Sequence, residues 1–110
     1  MNRDEKAELH LVELFLPLYG KEGSPLHRSN FDCVREELTR QFGGVTAFTR
    51  SPAVGAWENS QGEVARDEVV LFEVMVTALD RRWWGDYRQE LEQRFRQDEI
   101  LIRVSPIERL

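Results

Sequence analysis

The sequence is short of cysteine and of long apolar runs. Its single cysteine, Cys33, cannot form an internal disulfide, which excludes a disulfide-stapled secreted fold. No apolar run approaches the ~20 residues that a transmembrane helix needs. Residues 1–6, MNRDEK, are too polar for a signal peptide. We therefore expect a cytoplasmic protein with no membrane partner.

The sequence also lacks a basic excess. It carries 15 Lys and Arg against 20 Asp and Glu, a net charge of −5, which argues against a general nucleic-acid binder. Seven glycines and four prolines are too few for a collagen-like or low-complexity chain. With 41% hydrophobic and 32% charged residues, 110 residues fit one compact domain. We assign residues 1–8 to a flexible N-terminal lead-in and residues 9–110 to that domain.

Motifs for common catalytic chemistry are missing as well. The sequence has no P-loop, G-x-G-x-x-G, H-E-x-x-H or G-x-S-x-G motif. His10 and His27 are too far apart to form the close ligand pair of a zinc site, so we predict no metal and no cofactor. Cys33 falls in the first turn of a predicted helix, where free N–H groups favour a thiolate, but Asp32 opposes this. We interpret Cys33 as a small residue near the core.

Alternating apolar and polar residues predict four strands, at 10–18, 45–50, 64–77 and 100–104. Pro52 and Gly55 interrupt the continuation of the second strand and place it at a sheet edge, with a bulge or bend near Gly55. The sequence predicts a turn at 59–62 and the end of the fourth strand at Pro106. Successive side chains of a strand point to opposite faces of the sheet, so Val12 and Leu14 face one side while Leu11 and Glu13 face the other.

Two helices are predicted between these strands. Ser29 begins the first as its cap, with Asp32 in a weak capping box, and Gly43 and Gly44 end it. Asp80 begins the second helix. Each helix carries one apolar stripe at spacings of 3, 4 and 4: Phe31, Val34, Leu38 and Phe42 in the first, and Trp84, Tyr87, Leu91 and Phe95 in the second. Arginines on the second helix alternate with acidic residues, which favours a solvated face.

The order strand, helix, strand, strand, helix, strand predicts an α+β domain with the ferredoxin-like split βαβ fold. Right-handed crossovers give a four-stranded antiparallel sheet in the order 4-1-3-2, with both helices on one face. Other α+β orders are the alternative. The predicted core comprises Leu14, Phe31, Val34, Leu38, Phe42, Phe72, Val74, Tyr87, Leu91, Phe95 and Ile102.

The second face of the predicted sheet has too many large apolar residues for a surface open to water, which indicates an interface or a ligand site. A turn at 61–62 would set Arg50 opposite Glu73, although a bulge at Gly55 could shift this register, and Glu13 would lie between Glu73 and Arg103. This charge row is either a binding or acid/base site or an ion-pair row that keeps an interface in register; we favour the second. The candidate site residues are Glu13, Phe15, Phe48, Arg50, Glu73, Met75 and Arg103.

A narrower pattern lies in Gly43-Gly44-Val45-Thr46, Gly55-Ala56-Trp57 and Gly62. This layout resembles small bacterial families of unassigned function. The element order and the two-sided sheet over residues 9–106 resemble the ferredoxin-like dimeric α+β barrel proteins. That resemblance implies a homodimer in which two open sheet faces meet, often around a cavity, but it implies no particular reaction.

Two functional classes follow. The favoured one is a homodimeric small-molecule-binding or assembly module, because no nucleophile–base pair or metal set is visible. The homodimer would form through the open sheet face or through the exposed edge of the second strand. The alternative is a cofactor-independent enzyme of the dimeric barrel type, an isomerase or monooxygenase acting by proton transfer on a small organic substrate. Glu13 or Glu73 would then be the general base, and Arg50 or Arg103 would hold an anion.

Overall fold

A computed structural model describes residues 8–50, 57–58, 64–65 and 69–110. The predicted lead-in up to residue 7, the bulge near Gly55 and the turn at 59–62 lie outside these residues. The elements, in chain order, are β1 (Leu9–Pro17), α1 (Arg28–Phe42), β2 (Thr46–Arg50), β3 (Trp57–Glu58), β4 (Val64–Ala65), β5 (Val69–Val76), α2 (Arg81–Arg94) and β6 (Leu101–Ile107).

The main sheet is antiparallel and runs in the order β2-β5-β1-β6. Strand β1 lies between β5 and β6, and β2 pairs with the other side of β5. Strands β3 and β4 form a separate two-stranded sheet. The predicted α+β class, with two helices and an antiparallel sheet, is confirmed.

Two strand boundaries differ from the prediction. The predicted strand 64–77 is described as two segments: β4, which pairs with β3, and β5, which begins at Val69. Residues 66–68 lie outside the described residues. Pro106 does not end β6, which continues to Ile107. Among the described strands, β6 pairs only with β1, and an edge strand tolerates a residue without an N–H group.

The helix ends follow the predicted chemistry with one exception. Gly43 ends α1 in the left-handed conformation, at φ 84°, and its N–H donates to the carbonyl of Thr39. The carboxylate of Asp80 accepts from the backbone N–H of Trp83 and caps α2. The prediction of Ser29 as a cap is wrong, since α1 begins at Arg28 and His27 is its N-cap.

The helices pack on the sheet face that carries Val12, Leu14, Phe72 and Val74. The core residues are Val12, Leu14, Leu16, Phe31, Val34, Leu38, Phe72, Val74, Val76, Trp84, Tyr87, Leu91, Phe95 and Ile100. Of the predicted core, Phe42 and Ile102 are only partly buried against this cluster.

The interpretation of Cys33 as a residue near the core is wrong. Its side chain is exposed. Cys33 follows the buried Phe31 by two positions, which is about 200° around a helix and therefore on the opposite side. Within the described residues, no helix is both long enough and apolar enough to cross a membrane.

Candidate functional site on the open sheet face

Three neighbouring cross-strand rows form the centre of the sheet face opposite the helices, which we call the open face. The middle row is polar and lies between two rows rich in apolar residues. The first row pairs Met75, Leu11 and Ser105; the middle row pairs Thr46, Glu73, Glu13 and Arg103; the third row pairs Phe48, Leu71, Phe15 and Leu101.

An ion pair between β1 and β6 anchors the middle row. Nε of Arg103 donates to Oε1 of Glu13 over 2.9 Å. The Glu13 side chain is 15% exposed, whereas Arg103 is 57% exposed. The guanidinium carbon of Arg103 also lies 4.8 Å from the centre of the Phe15 ring, within the range of a cation–π contact. Arg103 is therefore held by both a carboxylate and an aromatic ring.

Glu73 lies on the other side of Glu13 in the same row. Its side chain is half-buried, and it makes no hydrogen bond or ion pair with any residue that the structure describes. Like charges directly opposite each other in a sheet are unfavourable. The open face thus carries a neutralised pair, Glu13 with Arg103, beside a carboxylate that lacks a cation among the described residues.

The predicted position of Arg50 in this row is wrong. Arg50 pairs with Val69, and Thr46 takes the place opposite Glu73. The prediction assumed one continuous hairpin with its turn at 61–62. In the structure, β3 and β4, which lie between β2 and β5 in sequence, form a separate sheet. The shift is four residues, an even number, so Arg50 and Phe48 keep backbone positions on the open face. Their side chains lie outside the described part of the structure.

The apolar residues of the open face differ in exposure. Met75 and Leu101 are 53% and 54% exposed, which is high for large apolar side chains. Leu71, between the register positions of Phe15 and Phe48, is 1% exposed although it lies outside the core under the helices. The structure thus brings Glu13, Phe15 and Arg103 into direct contact, with Glu73 and Met75 alongside.

A second polar cluster, between the helices, was missed by sequence reasoning. Arg94 donates to both carboxylate oxygens of Glu37, over 2.6 and 3.1 Å, and the Tyr87 hydroxyl donates to Oε1 of Glu37 over 2.9 Å. The hydrogen bonds from Arg94 lower the pKa of Glu37 and raise the pKa of Arg94. Burial raises the pKa of Tyr87, and its bond to Glu37 raises it further. The signal available was the seven-residue spacing of Tyr87 and Arg94, which puts both on one face of α2.

Aromatic rings pack on the Tyr87 side of this cluster. Trp83 and Tyr87 stack at 4.9 Å, and Trp83 meets Phe42 edge-to-face at 5.1 Å. Trp83 and Phe42 are partly buried against the core. The cluster is therefore a polar link between α1 and α2 that lies beside packed aromatic rings.

No family model and no curated protein sequence matches this chain. Solved structures do match by shape. A phage SAM lyase in complex with S-methyl-5'-thioadenosine has a TM-score of 0.60 at 12% identity, covering 96% of this chain and 86% of the lyase. A phage SAM lyase in the apo state has a TM-score of 0.61 at 10% identity, with the same coverage of both chains. A Bacillus cereus protein related to NIF3 gives 0.57 at 15% identity, covering 94% of this chain and 26% of that protein.

These structural neighbours are distant. Identities of 10–15% support a shared small α+β fold and carry no residue of a site across. The bound molecule of the lyase complex is a property of that protein.

Proposed function

We propose that this chain is a cytoplasmic bacterial assembly module of the ferredoxin-like, dimeric α+β barrel type. In the numbering of the four predicted strands, its sheet order is 4-1-3-2. Two copies pack open face to open face as a homodimer, and a small organic molecule can bind between them. The observation that carries the proposal is the half-exposed pair Met75 and Leu101 on a face that already holds a largely buried Glu13.

The apolar rows support a second copy as the occupant of the open face. Met75 and Leu101 lie on opposite sides of the middle row and at different edges of the β5-β1-β6 group. Burying such side chains contributes roughly 25 cal/mol per Å² of apolar surface removed from water. An apolar surface on both sides of a charge row suits a partner with the same pattern.

The charge pattern of the middle row is complementary to the same row of a second copy. Arg103 lies on one side of Glu13 and Glu73 on the other. A two-fold axis along β1 would set Arg103 opposite Glu73 of the partner subunit, because such an axis exchanges the two sides of β1. Arg103 would then bridge Glu13 of its own chain and the unpaired carboxylate across the interface.

Sedimentation equilibrium at micromolar protein tests the dimer. We expect a mass of twice 12.9 kDa for the native chain and a monomer for Met75→Asp, whereas Met75→Leu keeps the dimer. Arg103→Glu and Glu73→Arg should each weaken the dimer, and the double charge swap should restore it. Arg82→Glu, the same reversal on an exposed helix position, is the matched control. A 12.9 kDa monomer for the native chain contradicts the proposal.

Native mass spectrometry of the protein purified from its own host tests the small-molecule part. A co-purifying organic molecule, lost together with the dimer in Met75→Asp, supports binding between the subunits. A dimer that carries no such molecule leaves assembly as the function. If the protein converts a co-purified molecule, and Glu13→Gln or Glu73→Gln abolishes this turnover, the proton-transfer enzyme replaces the binding module as the proposed function.

A further inference from the structure

A cleft of about 190 Å³ opens on the helix side of the sheet, between α2 and the β6 edge. One wall comes from α2, where Arg81, Trp84, Gly85 and Arg88 follow one another at i, i+3, i+4 and i+7. This spacing places all four residues on one face of the helix. The cleft opens on the helix side of the sheet, and Arg103 lines both the cleft and the open face.

The opposite wall is mainly apolar, and Arg103 of β6 is its charged residue. Its apolar part is formed by Val12, Ile102 and Val104, and Trp84 closes the inner end with only 6% of its surface exposed. An engineered cavity of ~150 Å³ is large enough for benzene. The cleft therefore has room for one ring or a branched aliphatic group of similar size.

Among the described residues, the cleft lining contains arginines and no acidic residue. Arg88 forms an ion pair with Glu92 over 2.8 Å, and Arg103 is held by Glu13. Arg81, in contrast, makes no ion pair or hydrogen bond with any described residue. Within the described part of the chain, its guanidinium is thus the cleft cation available for an anion from solution.

Gly85 is a second observation that points to a use for the open space in the cleft. Glycine in the interior of a helix is less favourable than alanine. Yet a Cβ atom at this position would meet no heavy atom within 4 Å, so packing does not require glycine here. The absence of a side chain leaves the cleft open between Arg81 and Arg88.

We infer that this cleft binds a small organic monoanion, a carboxylate attached to a single ring or a branched aliphatic group. The apolar body lies over Gly85 against Trp84 and Ile102. The carboxylate accepts hydrogen bonds from Arg81, whose planar guanidinium matches its geometry.

The test is an NMR titration of the full chain with phenylacetate, observed at the Gly85 amide and the Trp84 indole N–H. We expect saturable shifts at both groups. Phenylacetamide, which has the same shape without the charge, should bind about tenfold more weakly. No saturable shift up to tens of millimolar phenylacetate, or equal binding of the amide, overturns the inference.

Three variants locate the site. Arg81→Gln should weaken phenylacetate binding about tenfold, while Arg82→Gln, a neighbouring exposed arginine outside the cleft, should change it less than about twofold. Gly85→Ala should abolish binding while it leaves the unfolding temperature unchanged or raised. Equal losses in the two arginine variants, or full binding by Gly85→Ala, contradict the assignment.

Discussion

Arg94 and Glu37 join the two helices through a pair of hydrogen bonds, although 57 residues separate them in sequence. The Arg94 side chain is 21% exposed and that of Glu37 is 35% exposed, so the pair is partly shielded from water. Because the Tyr87 hydroxyl donates to the same carboxylate, Glu37 receives hydrogen bonds from two positions on α2. This carboxylate fixes how α2 lies against α1.

Glu37→Gln should lower the free energy of unfolding at neutral pH by about 1 kcal/mol, a modest value because Glu37 is partly exposed. Since folding lowers the pKa of Glu37, its contribution is present above the ordinary glutamate value and is lost as pH falls through the lowered pKa. Urea titrations at a series of pH values measure this. The variant should be less stable than the native chain at pH 7 and reach a similar stability in acid. Glu36→Gln, at an exposed neighbouring position, should show no such pH-dependent difference from the native chain.

Tyr87→Phe should change how the stability of the protein falls at alkaline pH. Folding raises the pKa of Tyr87, so its contribution is complete below the ordinary tyrosine value of about 10 and is lost as pH rises beyond it. Thermal unfolding followed by circular dichroism between pH 7 and 11 is the measurement. We expect the native chain to lose stability faster than the variant above pH ~10. Parallel curves for the two proteins would contradict this role.

Leu38→Ala should lower the free energy of unfolding by about 2–5 kcal/mol. Leu38 is completely buried between α1 and the sheet, so truncation removes apolar contacts and leaves a cavity. Leu110→Ala is the matched control, since it makes the same chemical change at a fully exposed residue. Denaturant unfolding of both variants measures the difference, and equal stability would show that Leu38 does not pack as described.

Gly43→Ala should lower stability by about 1–2 kcal/mol, because an alanine at φ 84° places its Cβ in the strained left-handed region. Neither Gly43 nor Gly44 has a heavy atom within 4 Å of a Cβ, so crowding does not contribute. Gly44 has no left-handed φ and is therefore the control, for which we expect a much smaller change. Thermal unfolding distinguishes the two, and an equal loss in both variants would rule out backbone strain as the cause.

Local patterns in the sequence determined much of the fold. The 3, 4 spacing of Phe31, Val34 and Leu38 identifies the buried face of α1, since a helix brings such positions together wherever it packs. Gly43 and Asp80 act as predicted at helix ends because capping depends on neighbouring backbone groups. Alternation in β1 likewise separates Val12 from Glu13 before any partner strand is known.

Tertiary structure decided what depends on distant partners. The register of β2 on β5 moves Arg50 away from Glu73, because the chain between them forms a separate sheet instead of a direct turn. The Glu37–Arg94 link depends on how two helices lie together, and the cleft at Gly85 depends on the distance between α2 and β6. Sequence spacing sets which residues share one face of an element, whereas packing between elements determines which faces meet.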